Sequence, residues 1–156
     1  MRARSKARGW ALQILYAWES RGHNISPRAV LNDFEQERQI AEESREYIRS
    51  LVESVATNRE AIDRELEHSL TNWRLERLSM IDRNILRLAA AELMYETDVP
   101  PAVAIQEAIT LAEKYGTNES PRFVNGVLDA LRKSIELDPG SKRWNEETSK
   151  RGNEKA

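Results

Sequence analysis

The chain has 156 residues, 24 basic and 26 acidic, with a formal net charge of −2 and no cysteine. This length suits one domain with a substantial core, and the missing cysteine excludes disulfide scaffolds, thiolate zinc sites and cysteine nucleophiles. With two histidines, neither a histidine metal cluster nor a Ser-His-Asp triad is expected, and the total charge argues against a nucleic-acid partner.

The N-terminus carries an apolar run from Trp10 to Trp18 behind several basic residues. The run is too short for a membrane span, which needs about 20 apolar residues. It is followed by Glu19 and Arg21 instead of the small residues of a signal-peptide cleavage site. We therefore expect a soluble, cytoplasmic protein without membrane association, whose first helix covers about residues 5–20.

Apolar residues recur at helical spacing along the rest of the chain, and no run alternates as a strand would. Ser26 and Pro27 predict the N-cap and the first residue of a second helix. A third helix is predicted over about residues 41–56, and a fourth follows with Ile62, Leu66 and Leu70 on its inner face.

A second half begins after Trp73 with a helix predicted over residues 75–95, which is apolar on more than one side. Arg83 and Arg87 are expected to mark its exposed edge. The next helix starts at the prolines of residues 100–101 and ends at Gly116, and the last follows Pro121. We predict an all-α fold of about seven helices in two packed sub-bundles, with residues 1–138 as one domain and residues 139–156 as a flexible charged tail.

Enzyme motifs do not appear in this sequence. The six glycines never cluster into a phosphate-binding loop, and no H-E-x-x-H or G-x-S-x-G pattern occurs. Acidic pairs such as Glu42-Glu43 are best explained as a solvated helix face. We expect a protein that is not an enzyme and that needs no cofactor or metal.

Charge is distributed unevenly along the chain. Residues 1–18 contain four basic residues and no acidic one, whereas residues 33–70 contain five basic and eleven acidic residues, a net charge of −6. A basic arm over residues 1–9, followed by Trp10, Tyr16 and Trp18, combines phosphate neutralisation with stacking platforms for single-stranded RNA. The alternative is a frayed basic end whose aromatic residues belong to the core.

A second polar cluster spans residues 116–126, where a loop leads into the last helix. Ser120 can cap free amides there, and Arg122 and Asn125 lie near a helix N-terminus that favours phosphate. Phe123 fits either the core or an exposed position beside Arg122. Gly126 contradicts helix propensity, and close helix packing is favoured over a ligand's approach as its explanation.

Several runs resemble the NusB family of bacterial transcription antitermination factors. They are DVPPAVAIQEA at residues 98–108, LAEKYG at 111–116, FVNGVL at 123–128, DRNILR at 82–87 and ALQILY at 11–16. The resemblance covers roughly residues 4–135 in order. Gln106 stands where the family usually has Asn, and Ser5 interrupts the basic arm.

The resemblance implies an all-α protein that binds RNA without catalysing a reaction. Its partners would be the small-subunit ribosomal protein also called NusE, the single-stranded boxA element of ribosomal RNA leaders, and the antitermination complex of RNA polymerase. The residues implied along the RNA path are Arg2, Arg4, Lys6, Arg8 and Tyr16 on one side, and Asn118, Glu119, Arg122, Phe123 and Asn125 on the other. Asp82 and Arg83 are implied near the protein partner.

Two other functions and one assembly question stay open on the sequence. A protein-only helical adaptor would dock through the acidic residues 33–70 and the Arg83/Arg87 edge. An accessory domain related to ribosomal RNA methyltransferases would bind RNA without a catalytic domain of its own. A homodimer that covers the RNA site is also compatible with the sequence.

Overall fold

The computed structural model describes residues 2–22 and 24–137, and within these ranges all regular structure is helical. The helices are α1 (Arg2–Ser20), α2 (Pro27–Glu37), α3 (Glu42–Ser69), α4 (Met80–Tyr95), α5 (Pro101–Tyr115) and α6 (Ser120–Leu137), with a short 3-10 helix at Leu75–Arg77. The all-α prediction is confirmed. In the described part of the chain, no helix combines the length and apolar character needed to cross a bilayer. The predicted tail, residues 139–156, lies outside the described residues.

The third and fourth predicted helices form one helix, α3, which bends at Asn58. That residue leaves helical geometry (φ −107°, ψ 16°), and its side-chain amide donates to the Ser54 carbonyl at 3.0 Å. The apolar stripe continues across the bend, so that Ile48 and Ile62 are both buried. The boundary predicted between two helices, after about residue 56, thus lies next to a bend inside one continuous helix.

Side-chain capping sets where two of the helices begin. The Ser26 hydroxyl accepts a hydrogen bond from the Ala29 amide at 3.1 Å, which confirms the predicted start of α2. Ser79 caps α4 in the same way, accepting from the Asp82 amide at 3.1 Å. Helix α4 therefore begins at Met80, and the residues predicted as its first turn form the separate 3-10 helix instead.

Helix α4 lies between the two halves of the molecule. It packs against α1 and α3 on one side and against α5 and α6 on the other. Its residues are buried without interruption from Arg83 to Glu92, which is the pattern of a helix surrounded by protein. The side chains of Ile85, Leu86 and Leu88 lie at the centre of the core.

The prediction that Arg83 and Arg87 form an exposed edge is wrong, because both side chains find carboxylate partners inside. Arg83 lies 2.7 Å from a carboxylate oxygen of Glu19 and also donates to the main-chain carbonyl of Leu78 at 2.8 Å. Arg87 lies 3.0 Å from Glu19 and 2.8 Å from Asp63. We call these four side chains the Glu19 network.

The Glu19 network joins α1 to α4 through the Glu19 carboxylate and α3 to α4 through Asp63. Burial alone would raise the pKa of Glu19, but hydrogen bonds from Arg83 and Asn84, together with the charge of Arg87, hold that pKa below its usual value. The carboxylate is therefore ionised at neutral pH, and both buried guanidinium groups depend on it.

Replacing Glu19 by alanine should lower the free energy of unfolding by about 3 kcal/mol or more, because it leaves the buried Arg83 without a carboxylate partner and Arg87 with Asp63 alone. Urea denaturation followed by circular dichroism measures this loss. Glu53→Ala is the matched control, since Glu53 pairs with Arg28 at the surface and its removal should cost at most about 1 kcal/mol. Equal losses for the two variants would contradict a structural role for the network.

Candidate nucleic-acid interface

The predicted basic arm is the first turns of α1, and it is anchored to the rest of the protein. The Ser44 hydroxyl on α3 donates to the Ala3 carbonyl at 3.1 Å. Arg4 pairs with Asp98 at 2.9 Å, and its guanidinium lies 4.5 Å from the centre of the Tyr47 ring. Residues 2–9 are therefore helical from Arg2 onward, instead of forming a frayed end.

The structure places Arg8 in the interior, away from the predicted RNA path. Its side chain is 4% exposed and lies 2.9 Å from Glu92 on α4 and 3.1 Å from Glu107 on α5. Glu92 is itself buried and also accepts a hydrogen bond from the Tyr47 hydroxyl. Burial, and then this hydrogen bond, raise the pKa of Tyr47 well above its usual value. Arg8 is positioned this way because a buried carboxylate requires a cation beside it.

Most of the lysine and arginine side chains that the structure describes are neutralised by a neighbouring carboxylate. Among the lysine and arginine side chains that the structure describes, five have no ion pair within 4.0 Å. They are Lys6, Arg64, Arg77, Lys114 and Arg122, and all five are exposed. Apart from Arg64 on α3, they lie at or beside two neighbouring grooves.

The first groove, which we call the α1–α5 groove, has a volume of about 340 Å³. Helix α1 contributes Lys6, Trp10 and Gln13 to its lining, and α5 contributes Lys114 and Tyr115. The Gln13 amide approaches the Tyr115 hydroxyl at 3.5 Å. Trp10 is half-buried and meets Phe34 edge to face, with ring centres 6.5 Å apart. Two aromatic rings therefore border an open groove with a lysine from each helix.

The second groove, the α4–α6 groove, has a volume of about 350 Å³ and lies beside the loop that starts α6. Its lining includes Trp73, Arg77, Asp82, Glu119 and Phe123. Trp73 is 59% exposed, which is unusual for so large an apolar side chain. One carboxylate oxygen of Asp82 is buried and has no hydrogen-bond partner. Such an acceptor is costly unless a ligand or partner supplies a donor.

The two grooves follow one another along the chain across Gly116. The α1–α5 groove ends at Tyr115 and the α4–α6 groove begins at Thr117. A Cβ atom at Gly116 would lie 2.5 Å from the Ser120 hydroxyl, so that only glycine fits. That hydroxyl accepts from the Thr117 amide at 3.0 Å and closes the loop. Ser120 therefore shapes the connection between the grooves, in addition to beginning α6.

The other predicted residues divide between surface and core. Tyr16, Asn118, Glu119, Arg122 and Asn125 are exposed, as an RNA path requires. Phe123 is half-buried: it packs on the core and also lines the α4–α6 groove, so both interpretations of Phe123 hold in part. Trp18 belongs to the core, and its indole N–H donates to the Ile25 carbonyl at 2.9 Å.

Gly126 corrects one expectation from the sequence. Helix packing was favoured as the reason for this glycine, but a Cβ atom placed there would meet nothing within 4 Å. The position is exposed on α6, one turn beyond Arg122. Packing therefore does not explain why glycine occupies a helix interior, and the approach of a ligand is the remaining explanation of the two.

Sequence reasoning missed four residues that border the grooves: Trp73, Arg77, Lys114 and Tyr115. Lys114 and Tyr115 lie inside the run LAEKYG, which marked the resemblance but was not assigned a role. Trp73 was used only as the start of the second half. A signal was available in each case, because a helix end rich in aromatic and basic residues next to a polar loop is typical of nucleic-acid sites.

Comparisons with known proteins give this surface a context. A family model described as the NusB family matches residues 5–133. The chain belongs to the NusB family. The transcription antitermination protein NusB of Trichlorobacter lovleyi is 44% identical over 131 residues, which cover 84% of this chain and 91% of that protein.

Solved NusB structures share the fold. A structure of T. maritima NusB superposes with a TM-score of 0.74 at 35% identity, covering 83% of this chain and 90% of that one. A crystal structure of the antitermination factors NusB and NusE in complex with dsRNA gives a TM-score of 0.77 at 32% identity, covering 86% and 98%. The predictions of a NusB-like all-α fold and of a non-enzymatic antitermination factor are confirmed.

Arg8 and Lys6 should differ sharply in their contribution to stability. Arg8→Ala leaves the buried Glu92 carboxylate without its main cation and should lower the free energy of unfolding by about 3–5 kcal/mol. Lys6→Ala, two residues earlier on an exposed position, should change it by at most about 0.5 kcal/mol. Chemical denaturation of the two variants measures both values. A small loss for Arg8→Ala would mean that the buried pair is dispensable.

Proposed function

We propose that this protein binds single-stranded RNA jointly with a small-subunit ribosomal protein of the NusE type, and that the RNA is the boxA element of ribosomal RNA leader transcripts. The assembly would act with RNA polymerase in antitermination and support ribosomal RNA maturation. The observation that carries this proposal is the position of the cations without an ion pair: of the five among the described side chains, four lie at or beside two adjoining grooves lined by aromatic residues.

Electrostatics favours this surface as the RNA path. A cation already paired with a carboxylate contributes little net field, so RNA gains most from Lys6, Lys114, Arg77 and Arg122. Single-stranded RNA also needs platforms on which unstacked bases can lie, and Trp10, Tyr115 and Trp73 offer them. Of the residues predicted from the sequence, we place Arg2, Arg4 and Tyr16 beside the start of this path, and Asn118, Glu119, Phe123 and Asn125 beside its end.

We propose that the protein partner binds at the α4–α6 groove. The unpartnered oxygen of Asp82 is an acceptor for a backbone or side-chain donor of the NusE-type protein. A NusB-family protein has been crystallised with NusE and dsRNA, which supports the same kind of assembly here. Arg83 would act through its neighbours, because its guanidinium is engaged by Glu19 and by main-chain carbonyls.

An RNA-binding function is favoured over that of a protein-only adaptor, because one of the two docking faces expected for such an adaptor is buried. Arg83 and Arg87 are buried in the Glu19 network, so no basic edge is left on α4. The acidic surface of residues 33–70 is also partly neutralised by arginines, as in the Arg49–Glu35 pair at 3.0 Å. We propose residues 1–138 as the RNA-binding unit, followed by a charged tail over residues 139–156.

RNA binding by the full chain, alone and with the NusE-type ribosomal protein, tests the proposal. We expect weak binding of boxA-containing RNA by the chain alone and tight binding by the two proteins together, because two partial surfaces then act on one ligand. An RNA of the same length with a scrambled boxA is the control. Equal affinity for both RNAs, or no gain from the ribosomal protein, would overturn the proposal.

The salt dependence of binding identifies the cations that contact phosphate. Four neutralised charges predict a slope of log K against log salt of about −3 for single-stranded RNA. Changing Lys6 and Lys114 together to glutamine should flatten the slope by about 1.4, since each contact contributes about 0.7. Fluorescence anisotropy over a salt series measures the slope.

The control for this measurement is the double variant Arg28→Gln and Arg49→Gln. Both arginines are paired with glutamates away from the two grooves, so that the slope should stay at the wild-type value. If this control flattened the slope as much as the lysine variant, the assignment of the RNA path would fail.

A further inference from the structure

The floor of the α1–α5 groove is a glycine that packing does not require. Gly9 lies inside α1, where glycine is less favourable than any residue except proline. A Cβ atom added there would meet only the Tyr115 hydroxyl, at 4.0 Å. Its φ is not positive, unlike that of Gly22, so that alanine would fit the backbone. The effect of glycine at this position is to leave open space between the two helices.

The shape of that space is set by two helices running side by side in the same direction. Ser5 bonds to Glu107 and Gln13 to Tyr115, and both bonds join residues 102 apart in sequence. Trp10 and Tyr115 thus border the groove next to the missing side chain of Gly9. Its volume of about 340 Å³ is at the lower end of small-molecule sites. This volume is sufficient for one planar ring system.

Charge distinguishes the groove from an ordinary gap between helices. Lys6 lies towards its Ser5–Glu107 end and Lys114 towards its Gln13–Tyr115 end, and neither has a carboxylate partner among the described side chains. The Lys114 ammonium lies 5.2 Å from the centre of the Tyr115 ring. Glu107, the acidic residue of the lining, is engaged by Arg8 and Ser5. The groove therefore presents aromatic surface between two available positive charges.

We infer that the α1–α5 groove binds a single unstacked nucleobase of the RNA, with the adjoining phosphates on Lys6 and Lys114. The base lies over Gly9 against the rings of Trp10 and Tyr115, and Gln13 and the Tyr115 hydroxyl offer hydrogen-bonding groups to its edge. This inference rests on the proposed function in that the ligand is RNA. It adds that this chain recognises one nucleotide in the α1–α5 groove without a contact from the ribosomal protein.

The test has two parts: a substitution in the protein that fills the groove, and RNAs that each lack one base. Gly9→Leu places a side chain in the open space at a position where leucine also favours the helix. We expect it to weaken binding of boxA-containing RNA, measured with the NusE-type protein present, by about tenfold, equivalent to about 1.4 kcal/mol. A set of RNAs with a single abasic site at each position is then measured on both proteins.

The RNA that is abasic at the position bound in the groove should bind the wild-type protein about tenfold more weakly than intact RNA does. On Gly9→Leu, this abasic RNA and intact RNA should bind equally, because the base and the leucine compete for the same space. RNAs that are abasic at any other position should lose affinity by the same factor on both proteins. Asn32→Leu, an exposed position on α2 away from the grooves, controls for an added surface leucine and should bind as wild type. Thermal denaturation checks that Gly9→Leu folds, and Gly9→Ala repeats the test with the smallest addition.

Three results would overturn the inference while leaving the proposed function intact. They are undiminished RNA affinity in folded Gly9→Leu, equal effects of every abasic site on both proteins, and a loss that appears in binding of the ribosomal protein without RNA. The last of these would make the groove a protein interface. If the wild-type chain bound boxA-containing RNA neither alone nor with the NusE-type protein, the proposed function itself would be rejected.

Discussion

The interior of this protein is organised by ionised side chains on its central helix. Arg83, Arg87 and Glu92 all lie on α4 and are all buried. Each needs an opposite charge, and these are supplied by Glu19 on α1, Asp63 on α3 and Arg8 on α1. A buried ion pair adds little stability compared with apolar residues of the same size, but breaking one is expensive. These pairs therefore specify how α1 and α3 align along α4, because a shift of one turn would separate every pair.

This arrangement also determines which charges remain for a ligand. Interior carboxylates on α1, α3 and α4 engage Arg8, Arg83 and Arg87, which the sequence alone had assigned to the surface. Most of the exposed arginines are matched by nearby acids, as the acidic composition of residues 33–70 allows. In the part of the chain that the structure describes, the cations without an acidic partner lie mainly at or beside two grooves, so that a chain with a net charge of −2 concentrates its available positive charges there.

Much of the fold could be predicted because apolar spacing and capping residues act locally. Ser26 and Pro27 specify the start of α2 without reference to the rest of the chain. The positions of Arg8 and Arg83 could not be predicted in this way, since their environment depends on helices that are distant in sequence. A charged residue on a periodic helix is normally solvated, and only the facing Glu19 and Glu92 reverse that expectation. The sequence predicted a break close to Asn58, but not that the chain continues through it as one bent helix.

The motif runs predicted candidate site residues at the start of α6, but they did not predict the lining of the grooves. The loop residues Asn118 to Phe123 lie at or beside the α4–α6 groove, whereas the groove residues of α5 became apparent only once α1 was seen beside them. Gly9 and Gly126 illustrate the limit in opposite directions. Nothing in the sequence pattern indicated a role for Gly9. For Gly126 the sequence favoured close helix packing, but a Cβ atom added there would meet nothing within 4 Å.

The parallel placement of α1 and α5 has a thermodynamic consequence. One wall of the α1–α5 groove comes from the first half of the chain and the other from the second, so that the groove exists only while the halves are docked on α4. A ligand held there binds the folded state and not the unfolded chain, and its free energy of binding is added to that of folding. At a free ligand concentration one hundred times the dissociation constant, this contribution is about 2.7 kcal/mol, comparable with the loss expected from breaking one of the buried ion pairs.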